Sequence, residues 1–254
     1  MRRYGLLGYP LTHSFSQKYF TEKWEREGIT DCSYSNFSLP DIGELSDVLA
    51  DDSLCGLNVT IPYKEKVIPF LTDRSPVVAE IGACNCIKIE GSRLTGYNTD
   101  VVGFEQSLAR KLGDHHREAL ILGTGGAAKA VEYVLRKLGI GYRLVTRKPR
   151  PDTGDMGYEE VDARLLETYT LIVNTTPLGM HPKVSDCPPL PYAALTPRHY
   201  LFDLIYNPSR TLFLQRGEER GAVVENGYDM LILQAEESWR IWTALPDAGC
   251  QRAR

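Results

Sequence analysis

Apolar and polar positions along the chain alternate between a two-residue period and one near four, the signature of strands interleaved with helices. RYGLLGYP reads as a strand. It is followed by the amphipathic SFSQKYFTEKWEREG, in which Phe15, Tyr19 and Trp24 recur near the helical period and Gly28 ends the run. CSYSNFSL predicts a strand, DIGELSDVLAD a helix opened by Asp41, and LCGLNVTI a further strand. CNCIKIEG and RLTGYNTD predict a hairpin that turns at Glu90 to Ser92. VVGFEQSLARKLG predicts a helix, and the polar DHHRE after it is the best candidate domain boundary. Beyond it, EALILG is a buried strand, AAKAVEYVLRKLG a helix, and YRLVTR, TLIVNTT, HYLFDLIY and AVVENG are strands. DCPPLPY predicts a surface turn, and DMLILQAEESWRIW a long final helix with a bulky apolar face. Strands and helices at this spacing argue for βαβ units and mainly parallel sheets, an α/β fold.

One junction in this pattern is chemically odd. In NVTIPYKEKV the strand stops at Pro62, and Lys64 then falls at the mouth of a predicted helix. The positive end of a helix dipole repels a lysine there. A lysine kept at such a place is a candidate for proton transfer.

Composition narrows the class without naming a reaction. A chain of 254 residues with 43% hydrophobic and 24% charged residues is ordinary for a globular protein of one large or two modest domains. A net charge of -4 gives no electrostatic reason to expect nucleic acid or an anionic membrane as partner. No apolar run reaches the length of a membrane span, and MRRYGLLGYP meets a proline too early for a signal peptide, so a cytoplasmic location is expected. The six cysteines form no CxxC pair and read as reduced, small apolar residues, with Cys84 and Cys86 on one face of a strand. His115 and His116 read as solvated linker residues. His181 and His199 lack ligand spacing, and no metal is expected.

The sharpest local signal is ALILGTGGAAKAV. An apolar strand ends at Gly123, and Gly125 and Gly126 open a helix-forming run. Gly123, Gly125 and Ala128 fit G-x-G-x-x-(G/A). Such glycines allow the tight turn and let a pyrophosphate approach the amides at the helix N-terminus; the alternative is a glycine turn without a ligand. At the end of the next strand, LVTRKPR places Thr146, Arg147, Lys148 and Arg150 where an NAD site usually has a carboxylate. Cations there suit a 2′-phosphate and favour NADP, with a solvated basic loop as the alternative and Asp152 nearby. Lys64 and Asp100 each lie just past a strand end, where α/β sheets gather ligands. As a pair facing a hydroxyl they could relay its proton while hydride leaves the same carbon; a structural salt bridge is the other reading. Asn58, Thr60, Asn85 and Thr99 add neutral donors and acceptors on neighbouring strand ends, and Ser14 and Ser16 do so after the first strand. Such a set suits a polyhydroxylated small molecule, although each residue alone could cap a helix or turn.

These stretches converge on a known family. GYPLTHSFS, GLNVTIPYK, GACNCIKIEGSRLTGYNTDVVGF, LGTGGAAKA, VNTTPLGM, LFDLIYNPSRTLFL and NGYDMLILQAEESW resemble shikimate dehydrogenase in content, order and spacing along nearly the whole chain. The resemblance implies an N-terminal α/β substrate domain, residues 1–102 plus 230–254, and a Rossmann-type doubly wound NADP domain, residues 103–229, with a cleft between them. It implies reduction of 3-dehydroshikimate to shikimate with NADPH, in a monomer or homodimer, with Lys64 and Asp100 as the catalytic pair. Ser14, Ser16, Thr60, Asn85, Tyr206 and Gln234, with Asn58 and Thr99 nearby, are the implied substrate positions. Gly123, Thr124, Gly125, Gly126, Ala127, Thr146, Arg147, Lys148, Leu204 and Gly227 are the implied cofactor positions. The chain departs from the commoner pattern at Gln17, Phe20 and Thr21, where many members have Pro and then His-Asn. It departs again at Thr146, Arg147 and Lys148, where many have Asn-Arg-Thr. A quinate/shikimate dehydrogenase with broader substrate or NAD use is the nearest rival reading. A non-catalytic binding relative would be expected to have lost Lys64 or Asp100, and a folate-type dehydrogenase would have no use for the paired serines.

Overall fold

Two six-stranded sheets organise the chain in a computed structural model that describes residues 1–11, 15–150 and 152–245. The first sheet is built from β1 (Arg2–Gly8), β2 (Cys32–Ser38), β3 (Leu54–Val59), β4 (Asp73–Arg74), β5 (Cys86–Glu90) and β6 (Arg93–Tyr97). With these come α1 (Phe15–Glu27), α2 (Leu45–Leu49) and α3 (Pro76–Ile81). The strand order is β2-β1-β3-β5-β6-β4. β1 lies parallel between β2 and β3, whereas β5 runs antiparallel to both β3 and β6. The β5–β6 hairpin closes at Gly91 and Ser92, with Glu90 opposite Arg93.

Alternation along the strands sends side chains to two apolar layers. Leu7, Leu57 and Val59 join Leu45 and Val67 on one face, while Tyr4, Leu6 and Tyr34 join Phe20 and Trp24 on the other. Cys84 lies in the first layer and Cys86 in the second; they do not share a face, because the strand begins only at Cys86. The buried stripe of α1 is Ser16, Phe20, Lys23 and Trp24. Phe15 and Tyr19, expected on that stripe with Trp24, stack on each other at its partly exposed margin.

The second sheet follows α4 (Thr99–Leu108). Its strands are β7 (Glu118–Leu122), β8 (Gly141–Thr146), β9 (Met156–Gly157), β10 (Leu171–Asn174), β11 (Tyr200–Asp203) and β12 (Val223–Glu225). The helices are α5 (Gly126–Lys137), α6 (Ala163–Thr168), α7 (Leu212–Glu218) and α8 (Tyr228–Thr243). Every pairing is parallel, in the order β12-β11-β10-β7-β8-β9. Strand order reverses between β7 and β10, which makes the carboxyl ends of these strands the place where a doubly wound sheet takes its ligand. Residues 147–155 carry β8 over to β9 without a helix among the described ones, an exception to the expected alternation.

The chain separates into two compact units, Met1–Thr99 with the chain from Ala235 onward, and Asp100–Gln234. The divisions fall within α4 and α8, a few residues from the expected 102/103 and 229/230. DHHRE lies inside the second unit rather than at a boundary, and His116 is buried rather than solvated. Its Nδ1 accepts from the Gly113 amide at 2.8 Å, and its Nε2 lies 3.2 Å from the Arg198 carbonyl. Burial, helped by neighbouring His115, keeps its pKa below the usual histidine range. DCPPLPY is likewise no mere surface turn, since Leu190 and Tyr192 enter the core of the second unit. No helix among the described residues is long and apolar enough to cross a membrane.

Candidate active site

The residues after β3 do not form the expected helix. The Val67 amide donates to the Tyr63 carbonyl at 2.9 Å, and a short 3₁₀ turn follows at Ile68–Phe70. Pro69 has no N–H to donate to the Glu65 carbonyl, so the turn cannot be carried on as a regular helix. Lys64 therefore sits half-buried in a turn, and the dipole argument for it no longer applies. Its backbone is nevertheless fixed, because the Lys64 carbonyl accepts from the Cys84 amide at 2.7 Å. Thr60 continues the sheet by donating its amide to Leu7 at 2.8 Å.

Several expected substrate residues of the first unit meet in one buried array. Tyr34 donates its hydroxyl to Asn58 Oδ1 at 2.8 Å, and Asn58 Nδ2 donates to Ser238 Oγ at 2.8 Å. Ser238 Oγ lies 3.3 Å from Thr99 Oγ1, which accepts from Asn85 Nδ2 at 3.0 Å. The Thr99 amide donates to Asn85 Oδ1 at 2.6 Å and so anchors the start of α4. Ser16 is buried at the start of α1. Ser14 lies outside the described residues. Gln17, at one of the positions departing from the commoner pattern, ties α1 to β2: its amide donates to the Tyr34 carbonyl at 3.3 Å and accepts from Asn36 at 2.9 Å.

In the second unit, Asp100 is buried in the first turn of α4, where the helix dipole favours a carboxylate. Three residues on, a Cβ at Gly103 would stand 2.6 Å from the Met230 carbonyl and 3.2 Å from Gln234 Cβ. The missing side chain lets α4 and α8 approach closely and sets Gln234 against the helix that carries Asp100. Leu204 and Gly227 are also brought together: a Cβ at Gly227 would meet the Leu204 carbonyl at 2.1 Å. Tyr206, two residues past Leu204, is partly exposed, and burial of the rest of the ring raises its phenol pKa.

The glycine turn has the form that the sequence suggests. Gly123 takes φ +107, with Thr175 Oγ1 2.7 Å from where a Cβ would be. Gly125 is the N-cap of α5 and brings no capping side chain, and a Cβ there would meet nothing within 4 Å. Open space before uncapped amides is what a pyrophosphate needs, so this segment, Gly123 to Ala127, fits a dinucleotide. At the end of β8, the Lys148 amide donates to Thr146 Oγ1 at 3.4 Å, and Arg147 and Lys148 are exposed. Arg150 is occupied: it pairs with the buried Asp155 carboxylate at 3.0 Å and braces the short crossover. Burial works against ionisation of Asp155, but Arg150 and Thr153 outweigh it and keep its pKa low.

Tyr34 and Ser238 are the members of the first-unit array that sequence reasoning missed. The signal for Ser238 was its place one helical turn after Gln234 on α8. A second buried group was also missed. Asp203 at the end of β11 accepts from Thr211 at 2.5 Å, Asn174 at 3.0 Å and the Ile205 amide at 3.1 Å. Among the described residues no group of three or more His, Cys, Asp or Glu is placed to hold a metal ion. His199 is spent on Thr196 and the Leu166 carbonyl.

A doubly wound parallel sheet with an open glycine turn, in a chain whose other sheet is mixed, defines an α/β dinucleotide-dependent oxidoreductase class. Comparison with known proteins then identifies the family. Residues 6–87 match the shikimate dehydrogenase substrate binding domain. The chain is 36% identical to the shikimate dehydrogenase (NADP(+)) of Caldicellulosiruptor saccharolyticus, over 95% of this chain and 92% of that one. Among solved structures, shikimate 5-dehydrogenase of Thermus thermophilus in complex with NADP(H) and shikimate is similar at a TM-score of 0.84. That match has 32% identity and covers 97% of this chain and 95% of that one. Quinate dehydrogenase of Corynebacterium glutamicum in complex with NAD is similar at TM-score 0.81 and 26% identity, over 96% and 94%. The chain belongs to the shikimate dehydrogenase family.

Proposed function

We propose that the chain is an NADP-dependent shikimate dehydrogenase that interconverts 3-dehydroshikimate and shikimate on the pathway to chorismate and the aromatic amino acids. The observation that carries this reading is full-length similarity, above 30% identity, to relatives that bear that name. The first unit takes the substrate and the second the cofactor. NADP, held along Gly123 to Ala127 with its 2′-phosphate met by Arg147, Lys148 and Thr146, supplies the hydride acceptor for shikimate oxidation. Lys64 and Asp100 take the proton of the substrate hydroxyl as the carbonyl forms, and return it in the reductive direction. Ser14 and Ser16 hold the substrate carboxylate, while Asn58, Thr60, Asn85, Thr99, Tyr206 and Gln234 meet its hydroxyls. Leu204 and Gly227 are further cofactor contacts. We read the enzyme as cytoplasmic, where its NADPH supply lies.

The similarity to an NAD-bound quinate dehydrogenase favours one second reading, a broader quinate/shikimate enzyme. Absorbance at the reduced-nicotinamide band, with shikimate or quinate offered with NADP or NAD, separates the two. Reduction with shikimate and NADP alone is expected. Comparable rates with quinate or NAD would transfer the chain to the broader reading, and silence in all four mixtures would defeat both.

A further inference from the structure

Asn58, Asn85 and Thr99 stand on three different segments of the first unit, yet a single hydrogen-bonded array links them. Two residues outside the expected substrate set close it. Tyr34, on edge strand β2, is stacked on Phe20 with ring centroids 5.1 Å apart and donates its hydroxyl to Asn58 Oδ1. Ser238, fully buried on α8, stands 2.8 Å from Asn58 Nδ2 and 3.3 Å from Thr99 Oγ1.

We propose that Tyr34 and Ser238 are positioning residues that preset the orientation of the substrate-binding amides and hydroxyls. The inference rests on the shikimate reading above. An asparagine amide has two faces of opposite sense, and a buried one takes whichever orientation its partners dictate. Burial holds the Tyr34 phenol in its protonated form, so it presents a donor to Asn58 Oδ1. Asn58 Nδ2 must then face Ser238. Asn85 is oriented in the same way, because the Thr99 amide is a donor only and claims Oδ1. A ring bearing several hydroxyls therefore meets donors and acceptors whose sense is set before it arrives. Ordering them on binding would cost affinity instead. Without Tyr34 the oxygen of Asn58 loses its donor, and without Ser238 its amide nitrogen keeps only the longer contact to the Asn85 carbonyl at 3.5 Å. Either loss weakens the hold on the amide's sense.

Tyr34→Phe and Ser238→Ala remove one hydroxyl each and keep the ring or the backbone in place. Each is expected to raise the shikimate KM about five- to ten-fold, with kcat and the NADP KM within about two-fold of the parent. The double variant is expected to fall short of the product of the two single effects, because both act on the same amide. Thermal unfolding of each variant shows whether it is folded. Should Ser238→Ala fail to fold, Tyr34→Phe decides alone by the same readout. A shikimate KM within two-fold of the parent in a folded variant, or single effects that simply multiply, would mean that the array only packs the core. If the parent itself fails to oxidise shikimate with NADP, the shikimate reading falls first and the proposal with it. A parent active on shikimate with unmoved variants overturns the proposal alone.

Discussion

At the scale of single residues, Lys64 and Asp100 carry the chemical claim, and they sit in unlike settings. Lys64 is half-buried in a turn between two prolines, whereas Asp100 is buried in the first turn of a helix. As a proton-relaying pair, each should be worth about 10²–10⁴ in rate. Lys64→Ala and Asp100→Asn are therefore expected to lower kcat by that order while calorimetric NADP binding stays intact. Turnover within a few-fold of the parent would remove the pair from the mechanism. Asp203 gives a different prediction, because its role is in stability. Burial pushes its pKa up to about 6, against the pull of its bonds from Thr211, Ile205 and Asn174. With the folded value above the unfolded one, its contribution is fully present below about 3.8 and is lost as pH rises through about 6. That loss amounts to ~3 kcal/mol. Asp203→Asn cannot ionise, so denaturation at pH 4 and pH 7.5 should show the variant gaining on the parent by that order at the higher pH. An unchanged difference between the two proteins would show that Asp203 titrates normally.

At the scale of elements, the contact of α4 with α8 is most exposed to test. Gly103→Ala would put a methyl group 2.6 Å from the Met230 backbone carbonyl, and neither helix backbone can yield without moving. Overpacking of this kind costs about 1–3 kcal/mol. The displacement falls on Asp100, one turn earlier, and on Gln234, so kcat/KM for shikimate should drop at least about ten-fold, as small misplacements in a site do. Steady-state kinetics with native activity would show that the close approach is incidental. The same scale explains what was legible in the sequence. The strands around the glycine turn and the α5 run announce themselves by period and composition, which are local properties of the chain. The helix expected at Lys64 failed because Pro69 closes a window that Pro62 had opened. The stretch DHHRE looked like a linker because its polarity is visible, whereas the backbone groups that satisfy His116 come from Gly113 and Arg198. The Tyr34–Asn58–Ser238 array joins residues 24 and 180 positions apart, a separation that no local pattern encodes.

For the molecule as a whole, the decisive fact is that the first unit is completed by the end of the chain. Trp242 packs 4.8 Å from Tyr4, centroid to centroid, and donates its indole N–H to the Ile87 carbonyl at 2.9 Å. It also fills the space left by Gly56, where a Cβ would stand 2.3 Å from the indole nitrogen. The first unit thus borrows part of its core from a helix that follows the whole of the second. The second unit keeps its own apolar core, from Leu120 on β7 through Phe213 on α7. Trp242→Ala should cost about 3–5 kcal/mol, the usual penalty for a large aromatic deleted from a core. The loss should be borne by one unit. Shikimate binding should weaken, and the early part of a denaturation curve should shift to lower denaturant. NADP should still protect a later transition, since a ligand stabilises only the fold that binds it. If shikimate and NADP protection instead disappear together in a single transition, the two units unfold as one cooperative whole, and the Trp242 deletion is felt by the entire chain.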